Sequence, residues 1–223
     1  MKHILLFGLL LAFIVSCKNN AATSPEEDVK TKEVKRLLGE ASALWAPPAD
    51  TTFCFNDNNA EHISTNDQEI WEKLDSALAI EPHNIKVYLE RTTYLMACKK
   101  FHKILPILRE AEKNATFNGS LWSLKAVFED YYGDSLIAQK NYRSADSAYA
   151  VELEQHATDS LMYSSTRISK AVNMALMTNN FELLEKEVQF TRKVFPQTWG
   201  TLDTKIFGKS KKEFFNTIFG KSK

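Results

Sequence analysis

Apolar residues recur three and four positions apart along most of the chain, and no stretch alternates strictly or carries the Asn-Gly turn of a β-hairpin. The pattern predicts an all-α fold. An opening helix from about Glu26 to Trp45 gathers Val34, Leu37, Leu38, Ala41 and Leu44 on one face, and Pro47 with Pro48 stops it. A connector follows from Ala49 to Thr65. Asn66 with Glu69 three residues on has the capping-box pattern, and the helix it opens turns Ile70, Trp71, Leu74, Ala77 and Leu78 inward before Pro82. A helix over Ser120–Gln139 buries Leu121, Trp122, Leu124, Phe128, Tyr131 and Leu136 by spacing, then turns at Lys140-Asn141. Another runs from about Asp159 to Met177, turns at Thr178 to Asn180, and continues through Phe181, Leu184 and Val188 to Phe195, before Pro196. Pro106 falls inside a further expected helix, where it must occupy the first turn or produce a kink. The pattern accounts for about 8–9 helices, arranged either as stacked antiparallel hairpins or as an irregular helical bundle.

The stretch Leu74–Asn84 carries a resemblance. A small residue, Ala77, precedes Ile80, Glu81, Pro82 and Asn84, as in the closing turn of a tetratricopeptide repeat. Counting on with that repeat's period of about 34 residues, Tyr88 stands where an aromatic belongs, Leu95 and Met96 where large apolar residues belong, and Phe101 where the second helix opens. Ala111 lies 34 residues after Ala77. Tyr142, Ala145 and Tyr149 repeat the aromatic, Ala, aromatic order of a second helix. The departures are Thr92 and Ala126 at the glycine-like eighth position of two first helices, and units longer than the standard period. The chain thus resembles a degenerate tetratricopeptide-like array over residues 29–201. In such arrays the first helices line a concave face that holds a peptide or partner helix, which places Arg91, Lys99, Lys125 and Arg167 as candidate groove contacts.

Composition agrees with a helical body. Only 7 Gly and 6 Pro occur in 223 residues, and 44% of the chain is hydrophobic, so it is poor in turn residues and not a disordered chain. Lys plus Arg equals Asp plus Glu at 28 each, which removes any global charge that would draw nucleic acid.

The N-terminus changes the picture more. Lys2 and His3 precede an uncharged run from Ile4 to Val15, whose dozen residues rise roughly 18 Å as a helix against an acyl core of roughly 30 Å. Residues 1–16 therefore read as a cleaved signal peptide. Ile14, Val15, Ser16 and Cys17 resemble the lipobox of bacterial lipoproteins. That resemblance implies lipidation at Cys17, a lipid bilayer as one partner, and a polar tether over residues 17–28. In those lipoproteins an aspartate directly after the cysteine retains the protein at the inner membrane. Lys18 stands there, which favours the outer membrane, facing the periplasm. Cys54 and Cys98 remain, in a compartment that permits either a disulfide or two separate thiols.

Catalytic constellations are absent from the sequence. Gly208-Lys209-Ser210 and Gly220-Lys221-Ser222 end like a phosphate-binding loop, but the glycine needed five residues earlier is Asp203 in one copy and Phe215 in the other. Nucleotide binding is excluded on that spacing. His62, His83, His102 and His156 are scattered and match no metal motif, and no Gly-x-Ser-x-Gly elbow occurs. No cofactor and no catalytic residue is expected.

The hexapeptide Ile206–Lys211 recurs unchanged as Ile218–Lys223. Residues 202–223 combine lysines with phenylalanines, so Lys209, Lys211, Lys212, Phe214 and Phe215 belong to a basic amphipathic helix that meets a membrane or partner, or to a helix that caps the array. The expectation is a non-catalytic, lipid-anchored module that binds another envelope protein or a peptide. The alternative is a lipoprotein that captures a nutrient or glycan.

Overall fold

A computed structural model describes residues 25–45, 66–200 and 207–220. The signal segment, Cys17 with most of its tether, and the connector holding Cys54 and His62 lie outside the described residues. So do residues 201–206 and 221–223. Among the described residues the fold is all-α, with no strand. The helices are α1 (Pro25–Trp45), α2 (Asp67–Ile80), α3 (Ile85–Ala97), α4 (Ile104–Asn114), α5 (Gly119–Tyr132), α6 (Ser135–Gln155), α7 (Ser160–Thr178), α8 (Phe181–Val194), the single turn α9 (Pro196–Trp199) and α10 (Lys211–Phe219), with a 3-10 turn at Phe101–Lys103 before α4.

Side-chain caps set most of the starts. Asn84, Asn118, Asp134, Asp159, Asn180 and Ser210 each accept a bond from a backbone N–H of the helix they open. Each such cap contributes about 1 kcal/mol. Asn66 does not. It makes no side-chain cap, and its amide donates instead to the Leu44 carbonyl at 3.4 Å, so the capping box expected with Glu69 is not formed. Pro106 is the third residue of α4, in the first turn, where its missing N–H costs nothing.

The helices form two compact units, residues 25–116 and 117–220. In the first, α1 packs on α2 and α3, α2 on α3, and α3 on α4. Its core joins Val34, Leu37, Ala41 and Trp45 of α1 to Ile70, Leu74 and Ala77 of α2 and to Val87, Tyr94 and Ala97 of α3. Tyr88 closes the Pro82 turn: its hydroxyl donates to the Pro82 carbonyl at 3.2 Å and accepts from Asn114 at 3.2 Å.

In the second unit α5 pairs with α6, α6 with α7, and α7 with α8, while α5 also touches α7. Ala77, Ala111 and Ala145, spaced evenly along the chain, are all fully buried, one each in α2, α4 and α6. The turn expected at Lys140-Asn141 lies elsewhere. α6 runs through both residues, and the chain breaks at Gly133-Asp134, where the Asp134 carboxylate caps Leu136 and Ile137. The shift rotates the following residues off the expected face. Leu136, read as buried, is 79% exposed.

Candidate functional site

Three of the four cations expected in a groove are used in packing. Arg91 is buried, lies over the Trp71 ring at 5.4 Å, pairs with Asp75, and approaches Glu110 at 3.9 Å. Its aliphatic stem fills the core while the guanidinium is held by an aromatic face and a carboxylate. Lys125 is also buried, with its ammonium 5.6 Å from the Trp122 ring centroid. Arg167 grips Glu187 with two bonds of 2.6 and 2.8 Å, a fork that joins α7 to α8. Only Lys99 is exposed. It sits at the end of α3 with a φ of 54°, closing the helix by its N–H to the Met96 carbonyl. Within their own units Arg91 and Arg167 tie neighbouring helices together, and the burial of Arg91 and Lys125 removes them from an open polar groove.

Cys98 is a half-buried free thiol, and its expected bridge partner lies outside the described residues. Burial pushes its pKa up, against a bond with the Tyr94 hydroxyl that lowers it, so the thiol stays protonated at neutral pH. Beside it Tyr94 donates to Asp67, and Lys100 reaches the same carboxylate at 3.0 Å. Burial alone would raise the Asp67 carboxyl, but these two donors outweigh it and hold the group below its ordinary range. Among the described residues no three His, Cys, Asp or Glu side chains gather to hold a metal ion.

The C-terminal segment supplies the most distinctive surface. Ser210 and Glu213 close the start of α10 in a variant of the capping box: Ser210 accepts from the Glu213 N–H, and the Glu213 carboxylate accepts at 2.8 Å from the N–H of Lys209, one residue before the cap. The S-x-x-E signal was present in the sequence and marks this helix. Its apolar face lies on α5. Phe219 stacks on Tyr131 with centroids 4.0 Å apart, meets Phe128 and Tyr132 edge-on at 5.4 and 5.6 Å, and Phe215 meets Tyr131 at 5.5 Å. Phe214 is buried. Lys211 donates to Asp130 at 2.7 Å while its ammonium lies 5.5 Å from the Tyr142 ring, and Tyr142 donates to the same carboxylate at 3.1 Å. A helix has one apolar face, and here it is spent on the helical array, with Lys209 and Lys212 left facing water.

Among the described residues, the Phe-Gly pair of each copy of the duplicated hexapeptide is used alike. Phe207 is buried and Phe219 is stacked, and each is followed by a glycine in the left-handed region, Gly208 at φ 70° and Gly220 at φ 83°. At Gly208 a Cβ would also stand 2.7 Å from Glu213 Cβ, so the tight approach to the capping box requires glycine.

Two cavities flank this segment. One of about 1010 Å³ is bounded by Asn179, Phe181, Leu184, Phe207 and Gly208, with Glu182, Glu185 and Glu213 at its polar edge. The other, about 750 Å³, is lined by Tyr131, Asn179, Lys211, Lys212 and Phe215. Asn179 stands in both, and its side chain accepts from the Lys211 N–H at 2.9 Å. Next to the aromatic contact, Tyr132, Leu136 and Ile137 are exposed by 45%, 79% and 40%. This uncovered apolar edge at the α5–α6 turn was missed because one helix was expected to run through it. The dipeptide Gly133-Asp134, a stop followed by an N-cap, was the signal.

No family model matches the chain, and no curated protein or solved structure matches it either.

Proposed function

We propose that this chain is a non-catalytic lipoprotein, anchored through Cys17, whose tetratricopeptide-like helical body binds another protein or a peptide of the cell envelope. The outer membrane, on its periplasmic side, is the proposed location. The observation that carries the binding role is the apolar edge formed by Tyr132, Leu136 and Ile137 beside an aromatic surface that already holds a short amphipathic helix. Exposed clusters of large apolar side chains are costly in water and mark contact sites, and a helix laid on such a surface is a common mode of recognition. The repeat reading is supported by the even spacing of Ala77, Ala111 and Ala145 and by the contact of first helices with each other, α1 with α3 and α5 with α7.

Affinity purification from solubilised envelopes tests the role. The wild-type chain should recover one stoichiometric protein that the double variant Tyr132→Asp, Leu136→Lys fails to recover. Equal recovery by both would refute the assigned surface. For the anchor, Cys17→Ala should move the protein from the membrane fraction to the soluble fraction. Among the described residues no helix is long and apolar enough to cross a membrane.

The cavity of about 1010 Å³ favours a second reading, capture of a small nutrient or glycan, since its size falls in the range of ligand sites. A thermal-shift screen of sugars against the full chain addresses it. Stabilisation lost on Phe207→Ala would support capture there.

A further inference from the structure

Helix α8 turns Phe181, Leu184, Val188 and Thr191 into its unit. On its outer side Leu183, Phe190 and Val194, seven and four residues apart, form one stripe, and they are exposed by 46%, 46% and 48%. The stripe is held rigid along one edge. Arg167 of α7 lies 4.6 Å from the Phe190 ring centroid while it grips Glu187. Along the other edge run Glu182, Lys186, Gln189 and Lys193, all exposed, and beyond them stand Glu185 towards the start of the helix and Arg192 towards its end. The exposed face is therefore weighted acidic at its N-terminal end and basic at its C-terminal end.

Such a gradient complements the helix dipole, so alone it would indicate nothing. Beside an uncovered apolar stripe it specifies a partner. Two copies of α8 related by a two-fold axis run antiparallel, which sets Leu183 against Val194 and Glu182 against Lys193 across the axis, twice over, with both Phe190 rings near the middle. A parallel two-fold would instead carry the polar edges of the two helices to opposite sides of the contact, so their charges would not meet. Self-complementarity under a two-fold axis is what an interface between identical chains requires. We propose that the outer face of α8 is the contact surface of a homodimer of this chain.

The helix spans about 21 Å, so the contact is small, and the dimer belongs to the weak, concentration-dependent class. Sedimentation equilibrium of the full chain in a mild detergent, from roughly 1 to 300 µM, tests it across the range expected of a small interface. Dimer should accumulate towards the upper end. Phe190→Glu and, separately, Leu183→Lys should each weaken it at least about 10-fold, since either places a charge in the apolar stripe. Circular dichroism on every variant verifies that the helices remain. Glu182→Lys alone and Lys193→Glu alone should each weaken the dimer about 3-fold or more, and the two together should restore it to within about 2-fold of wild type. A chain that stays monomeric to 300 µM overturns the proposal. So does a dimer indifferent to both stripe variants, or one that the double charge exchange fails to restore.

Discussion

Gly39 and Gly119 both lie inside α-helices, and replacing each by alanine should move stability in opposite directions. At Gly39, in the exposed middle of α1, an added Cβ meets nothing within 4 Å. There the substitution gains the ordinary helix propensity of alanine, about 1 kcal/mol. At Gly119, the first residue of α5, the same Cβ would stand 2.7 Å from Tyr149 Cγ and closer still to Cδ1 and Cε1. Carbon atoms pack at about 3.5–4.0 Å, so the overlap is about an ångström. The ring has nowhere to go, because Tyr149 is 1% exposed. Overpacking of this kind costs about 1–3 kcal/mol, against a propensity gain of at most about 1. The clash should win by up to about 2 kcal/mol, which for a chain of this size lowers Tm by up to about 6 °C. Thermal unfolding followed by circular dichroism reads both variants. If Gly119→Ala raises Tm as Gly39→Ala does, the close packing of α5 on α6 described above is wrong.

Three more outcomes follow from the packing. Arg91→Ala should destabilise by about 2 kcal/mol in urea unfolding, while Arg91→Met, which keeps the stem on Trp71, should cost less than half as much; equal costs would show that charge rather than packing matters. Phe219→Ala removes the stack on Tyr131 and should loosen α10, seen as faster trypsin cleavage after Lys211 and Lys212, with an unchanged rate arguing that α10 is held by something else. Burial raises the Glu152 carboxyl above its ordinary 4.5, although the bond from the Gly119 N–H opposes the shift. A group raised in the folded chain favours folding at low pH, and that contribution is lost as pH rises through the folded value. On acidification from pH 7 towards 4.5 the wild type should therefore gain stability relative to Glu152→Gln, and a constant or shrinking difference refutes the assignment.

Much of the scaffold could be read from residue spacing because the helices begin and end on local signals. Pro82 and the Thr178–Asn180 turn fall where expected, Val34, Leu37, Ala41, Ile70 and Leu74 are buried as their periodicity implied, and Tyr142, Ala145 and Tyr149, placed by resemblance to a repeat's second helix, are buried too. The failures have a common physical source. Periodicity locates an apolar face but carries no information on what lies over a long cation, so Arg91 and Lys125 were placed in a groove although tryptophan rings, and for Arg91 the Asp75 carboxylate, hold them inward. Continuous apolar spacing across Gly133-Asp134 concealed a helix break, and with it the exposure of Leu136 and Ile137. The candidate site lies at that break. At the C-terminus the sequence allowed two fates for the phenylalanines, and the choice depended on a receiving surface, Phe128, Tyr131 and Tyr132, that only the packing of α5 creates.

The binding role proposed for the α5–α6 turn can be read most directly in living cells that produce the chain, with a photo-crosslinking amino acid placed at position 136. One dominant adduct with another envelope protein is expected, strong in the wild-type background and absent when Tyr132→Asp is added. A chain that yields no adduct at position 136, while the same probe at exposed Leu161 on α7 yields one, would contradict it.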